Sequence, residues 1–146
     1  MTAETAARRD RVVIEQRIAR PPEAVWPMLT TPEGLARWWA TGDVRAEVGH
    51  RFTLDMRQWG EQPCEVLEVV AERRFVFAFR DWVLDWTLEP VEGGTLLRLV
   101  HSGFDPEIPR HVHAFETMGQ GWRNVVLPRL AALVEEGGPQ TGSSMM

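Results

Sequence analysis

Four histidines, one cysteine and a few clustered carboxylates are the residues of this 146-residue chain whose types suit them to chemistry. His101 closes the segment "TLLRLVHS" (95–102), where Leu97, Leu99 and His101 share one face of a period-2 pattern. An imidazole on that inward face could hydrogen-bond a ligand or move a proton near neutral pH. The competing reading is a histidine satisfied by backbone at the strand end, shaping the turn into Ser102-Gly103. No catalytic role is assigned; His101 is the one candidate acid–base group. His111 and His113 form His-x-His, which on a strand would face one way and could chelate a metal. Here the pair falls at a helix start, where the side chains diverge by about 200°, so both read as surface histidines and no metal site is expected.

Cys64 has no neighbour that would activate a thiolate and reads as an inert thiol, buried or half-buried. Asp81, Asp85 and Glu89 surround the Trp82/Trp86 strand; Asp85 and Glu89 have the parity opposite Leu84, Trp86 and Leu88 and are expected in solvent. Arg8, Arg9 and Arg11, offset by Asp10, read as a solvated basic cluster. There is no Gly-x-Ser-x-Gly elbow, phosphate loop or dinucleotide fingerprint, and no cofactor is expected.

The elements that would position these residues follow from periodicity and punctuation. "VVIEQRIA" (12–19) alternates as a strand. Pro21-Pro22 ends it and opens a helix with Glu23 in the first turn, kept short by Pro27. Thr31, Pro32 and Glu33 repeat that start signal for "TPEGLARWW", with Gly42 after its end. Segments 50–57, 64–70, 74–80, 83–89 and 95–102 then alternate, and "EGG" (92–94) turns the last hairpin. A long helix over about 110–136 carries Phe115, Met118, Trp122, Val125, Val126, Leu130 and Leu133 at helical spacing, with Gly119, Gly121 and Pro128 inside it as weak points. An antiparallel sheet with one apolar face needs a cover, and the long helix supplies it. Residues 1–10 read as a flexible end, 11–136 as one domain and 137–146 as a disordered tail.

Net charge is −5, which argues against nucleic-acid or anionic-membrane partners. All basic residues are arginine, so Schiff-base chemistry through lysine is excluded. A single cysteine rules out an intramolecular disulfide framework and fits a reducing compartment. Without an apolar leader or a membrane-length apolar run, a cytoplasmic protein is the expectation.

Three ordered patterns carry a family resemblance: "RPPEAVWPMLTTPEGLARWW", "GGTLLRLVHSGF" and "GQGWRNVVLPRLAALVE". The chain resembles the START-like, helix-grip (SRPBCC) superfamily and, within it, the activator of Hsp90 ATPase homologue (AHSA1-like) domains, over about residues 11–136. The resemblance implies an α+β helix-grip (Bet v 1-like) fold: a curved antiparallel sheet wrapped around a long C-terminal helix, with two short helices between the first and second strands. It departs from the family pattern at Gly49-His50, where Gly-Gly is usual, and at Pro128.

The resemblance further implies a cavity between sheet and helix that takes a small apolar or amphipathic molecule. Periodicity supplies candidate lining residues: Phe52, Leu54 and Met56 from one strand, Phe75, Phe77 and Phe79 from another, then Leu84, Trp86, Leu97, Leu99 and His101. Phe115, Met118 and Trp122 join them from the helix. The bland alternative is that each simply fills the interior. Adjacent Trp38 and Trp39 cannot share one helical face, so one is expected to pack with Leu35 onto the sheet while the other lines the cavity mouth. Three functions follow: a non-catalytic binding protein; a cyclase, dehydratase or hydrolase using His101; and a module stimulating an Hsp90-type ATPase. An exposed sheet face or edge strand would also permit a homodimer.

Overall fold

Alternation and proline punctuation set most of the element boundaries. The computed structural model describes residues 11–57 and 60–136. The expected loose ends at 1–10 and 137–146 lie outside those residues.

Strand β1 (Arg11–Ile18) buries Val12, Ile14 and Ile18. Helix α1 (Pro22–Thr30) opens on Pro22 and runs through Pro27 to Thr30. Thr31 then serves two helices. Its hydroxyl donates to the Pro27 carbonyl at 2.7 Å and accepts the Gly34 N–H at 3.0 Å, capping α2 (Pro32–Trp38). Gly34 lies where α1 and α2 touch; a Cβ there would stand 2.7 Å from the Met28 Cα, so only glycine fits. Helix α2 stops at Trp38, short of the Gly42 expected to follow it. Gly42 belongs instead to β2 (Thr41–Gly42), where any side chain would strike the Thr53 carbonyl.

Strands β3 (Arg51–Asp55), β4 (Glu61–Val70), β5 (Arg74–Phe79), β6 (Trp82–Val91) and β7 (Gly94–Ser102) follow. The seven strands form one antiparallel sheet in the order β1-β7-β6-β5-β4-β3-β2. β4 begins at Glu61 rather than near Cys64 and passes through Pro63. That residue faces solvent, its fixed φ suits extended backbone, and its carbonyl accepts the Arg80 N–H at 2.8 Å. A register shift between Val66 and Glu68 moves the inward face from the even-numbered residues to Val69, which pairs with Phe75 and packs on the core, and this is why alternation in this strand is weak.

From Pro109 to Glu136 the chain is helical throughout: α3 (Pro109–Gly121), a π-helical turn (Trp122–Val126) and α4 (Leu127–Glu136). Pro128 explains the π turn. Its nitrogen cannot donate to the Asn124 carbonyl, and its ring would crowd that carbonyl in a regular helix. Widening the turn avoids the clash, and the Leu127 N–H donates to the Trp122 carbonyl instead. The weak point expected at Pro128 is therefore a local widening, not a break. Leu127, Leu130, Ala131 and Val134 form the buried face of α4. The Ala19 N–H at the end of β1 donates to Glu135 at 2.9 Å, fixing the helix end against the sheet. The sheet curls around this helix in the helix-grip arrangement, with two short helices between β1 and β2.

Candidate functional site

The inner face of the sheet is unusually aromatic, and its rings divide into two sets. One set is packed solid. Phe75 stacks edge-on against Trp26 at 6.0 Å and meets Phe77 at 5.5 Å, and Trp38 stands edge-on to Trp86 at 5.7 Å. Trp38 is 1% exposed, and its indole N–H donates to the Met28 carbonyl at 2.8 Å, so burial leaves no unpaired donor.

The second set surrounds a cleft of about 580 Å³ between the β4–β6 end of the sheet and α3. Trp39, Phe79, Trp82 and Trp122 form its aromatic walls, and Met56 and Met118 add flexible apolar surface. Gly121 lies on its helical side, where a Cβ would meet nothing within 4 Å, so the space reaches the helix backbone. Glu61, Arg80, Arg110, His113 and Thr117 make an exposed polar rim. Below the rim, buried Gln62 accepts a hydrogen bond from Arg80 Nη1 at 3.1 Å.

The adjacent tryptophans reach the same interior because the helix ends between them. Trp39 has φ −133° and ψ −73°, outside helical geometry, so its ring is not held 100° from that of Trp38. The two indoles lie 6.0 Å apart and nearly parallel, and the half-buried Trp39 ring continues to Phe79 at 5.6 Å and Trp122 at 5.0 Å.

His101 is inward, as its parity requires, and fully buried behind this wall. Its Nδ1 accepts the Trp122 indole N–H at 2.9 Å. The neutral ring therefore carries its proton on Nε2, which is buried with no acceptor among the described residues. Phe104 lies 4.6 Å away and Trp82 5.7 Å away. Burial among these rings pushes the His101 pKa down to about 3. The backbone partner considered for His101 is thus replaced by an indole.

His111 corrects the surface reading. It is 4% exposed: Nδ1 accepts the Asp105 N–H at 3.0 Å, and Nε2 donates to Asp81 Oδ2 at 3.3 Å. The ring pins the loop before α3 to the β5–β6 turn. Hydrogen bonds from Arg110 and then from His111 hold the Asp81 carboxyl below its ordinary pKa range. His113, by contrast, is exposed on the cleft rim. Asp85 is also corrected: it is half-buried and takes two hydrogen bonds from Arg74, the shorter 2.7 Å. Cys64 is buried, and burial raises its thiol pKa to about 12. Among the described residues, no three His, Cys, Asp or Glu side chains gather as a metal site. No described helix is long and apolar enough to cross a membrane.

Of the candidate lining residues, Trp39, Met56, Phe79, Met118 and Trp122 border the cleft, and of these Phe79 and Trp122 are almost fully buried and belong to the core as well. Phe52, Leu54, Phe75 and Phe77 instead fill the core, with Leu84, Trp86, Leu97, Leu99 and Trp38. His101 lies behind the wall, and Phe115 packs edge-on to Phe104 at 5.4 Å. The reason is volume: facing rings meet one another over most of the sheet and leave space only near α3. Sequence reasoning missed Gln62, Arg80 and Trp82. Gln62 shares the parity of Cys64 and Val66, and Trp82 that of Leu84 and Trp86, so extending each strand would have found both. Arg80 sits in a turn and carries no such signal.

A family model for activator of Hsp90 ATPase homolog 1-like proteins matches residues 19–135. Protein BH1534 of Bacillus halodurans is similar in structure, with TM-score 0.77 and 33% identity over 86% of this chain and 96% of its own. Protein MLL2253 of Mesorhizobium loti follows at 0.73 and 30% identity, covering 93% of this chain and 99% of its own. An AHSA1-like protein of Aeromonas hydrophila shares the fold at TM-score 0.68 and 24% identity, over 88% of this chain and 94% of its own. No curated protein matches the sequence.

Proposed function

The chain belongs to the activator of Hsp90 ATPase homolog 1-like family, and we propose that it acts there as a non-catalytic binder of a small apolar or amphipathic molecule. The observation that carries this reading is the cleft of about 580 Å³ walled by Trp39, Phe79, Trp82 and Trp122. Small-molecule sites have this character: concave, mostly aromatic, with a few polar groups and a volume of roughly 300–1,000 Å³. Each Å² of ligand surface withdrawn from water contributes about 25 cal/mol before binding costs, so an ion pair is not required. Methionines on two sides let the walls adapt to an irregular shape.

The state of His101 favours binding over turnover. A general base works best with a pKa near the operating pH, and burial holds this one at about 3. Its Nδ1 lone pair is already engaged by Trp122.

Fluorescence titration with N-phenylnaphthylamine, a neutral aromatic probe, tests the reading. Saturable binding to the native protein is expected, with a rise in melting temperature. Gly121→Phe, which projects a ring into the open space beside α3, is expected to abolish it. A probe that fails to bind, or binds the filled variant equally well, would overturn the assignment.

A further inference from the structure

Resting on that binding reading, we propose that the ligand carries an anionic headgroup, carboxylate or sulfonate in type, which Arg80 receives at the cleft mouth. Arg80 occupies the two-residue turn that joins β5 to β6, with φ 58°. That left-handed conformation is one glycine adopts without strain, yet an arginine stands there. Its backbone is tied down by the Pro63 carbonyl at 2.8 Å and its side chain by Gln62 at 3.1 Å. A buried amide thus aims a guanidinium over an aromatic cleft.

The charges nearby leave this cation available. Arg110, the other arginine on the rim, is engaged by Asp81 at 2.9 Å. Arg80 has no carboxylate partner among the described residues, and Glu61 is the single acid among the described residues of the lining. Trp82, on the cleft wall, adds a buried indole N–H with no acceptor among the described residues. Arginine presents five N–H donors in a planar fork, and Gln62 uses only one of its nitrogens. An anion that offers two oxygens to the fork, carried on an aromatic body, would satisfy it while its rings fill the cleft.

Two probes separate this inference from the reading beneath it. Anilinonaphthalene sulfonate and N-phenylnaphthylamine share a ring system, and only the first is anionic. The native protein should bind the sulfonate about tenfold more tightly, as a charge-assisted hydrogen bond allows. Arg80→Gly should erase that preference, leave the neutral probe unchanged and keep the melting temperature, because glycine relaxes the turn. Arg80→Lys should restore part of the preference. Equal binding of both probes by the native protein would overturn the inference and leave the apolar cleft standing, and so would an equal loss for both in Arg80→Gly. Failure of both probes to bind the native protein would remove the binding reading itself.

Discussion

The indole N–H of Trp122 donates to Nδ1 of His101 across 2.9 Å, joining the π turn of the C-terminal helix to the last strand of the sheet. One ring of the pair lines the cleft and the other is sealed behind it. The cleft wall is therefore held in place by a histidine that stays neutral.

That neutrality gives a pH dependence with a definite sign. The folded-state pKa of His101 is about 3 against an ordinary 6.5, so between those values the unfolded chain binds the extra proton. This contribution to stability is complete above pH 6.5 and is lost as pH falls towards 3. Chemical denaturation should show a loss of about 1.4 kcal/mol per pH unit from this group within the window. His101→Leu should flatten the slope by that amount, while the carboxylates act equally on both proteins. Identical slopes would mean that the imidazole is hydrated in the folded state.

The two neighbouring tryptophans should behave unequally. Trp38→Ala removes a fully buried indole and its hydrogen bond to Met28, and a loss of about 3–5 kcal/mol is expected. Trp39→Ala removes a half-buried ring on the cleft wall, so it should cost much less and weaken probe binding instead. Denaturant midpoints and probe titrations on both variants decide it; two equal, large stability losses would show Trp39 to be a core residue only.

Gly121 has helical backbone angles and open space where a Cβ would go. Gly121→Ala should raise stability by about 0.5–1 kcal/mol through helix propensity alone. The same substitution at Gly34 should destabilise, because the added methyl would press on the Met28 Cα at 2.7 Å. Thermal melts of the two variants should move in opposite directions.

Cys64 should resist thiol reagents in the folded protein. With its pKa raised to about 12 from an ordinary 9.0, thiolate is scarce at pH 8, and the sulfur is buried. Labelling should be slow natively and fast in denaturant. Stability should also fall as pH climbs from 9.0 towards 12, because only the unfolded chain releases this proton there. Rapid native labelling would place Cys64 on an exposed or opening strand.

Much of the local structure is legible in the sequence. Thr31 and Pro32 announce the start of α2, and alternation in 74–80 and 95–102 marks inward residues that are indeed buried. The three ordered patterns point to the family, which the match over residues 19–135 shows. Where reading along the chain failed, a long-range contact had intervened. His111 looks like a surface residue until the β5–β6 turn brings Asp81 to it. Gln62 escapes notice because Pro63 discourages reading a strand through it.

The sequence by itself determined which face most strands turn inward, because that depends on backbone period; β4, shifted in register after Val66, is the exception. It could not decide which inward side chains meet another ring and which face empty space. Trp38 and Trp39 are one residue apart, yet the first is sealed against Trp86 and the second stands at the cleft beside Trp122. That division depends on the curl of the sheet and its distance from a helix more than eighty residues further along the chain. Only the folded chain brings those segments together, so only tertiary structure separates core from cleft.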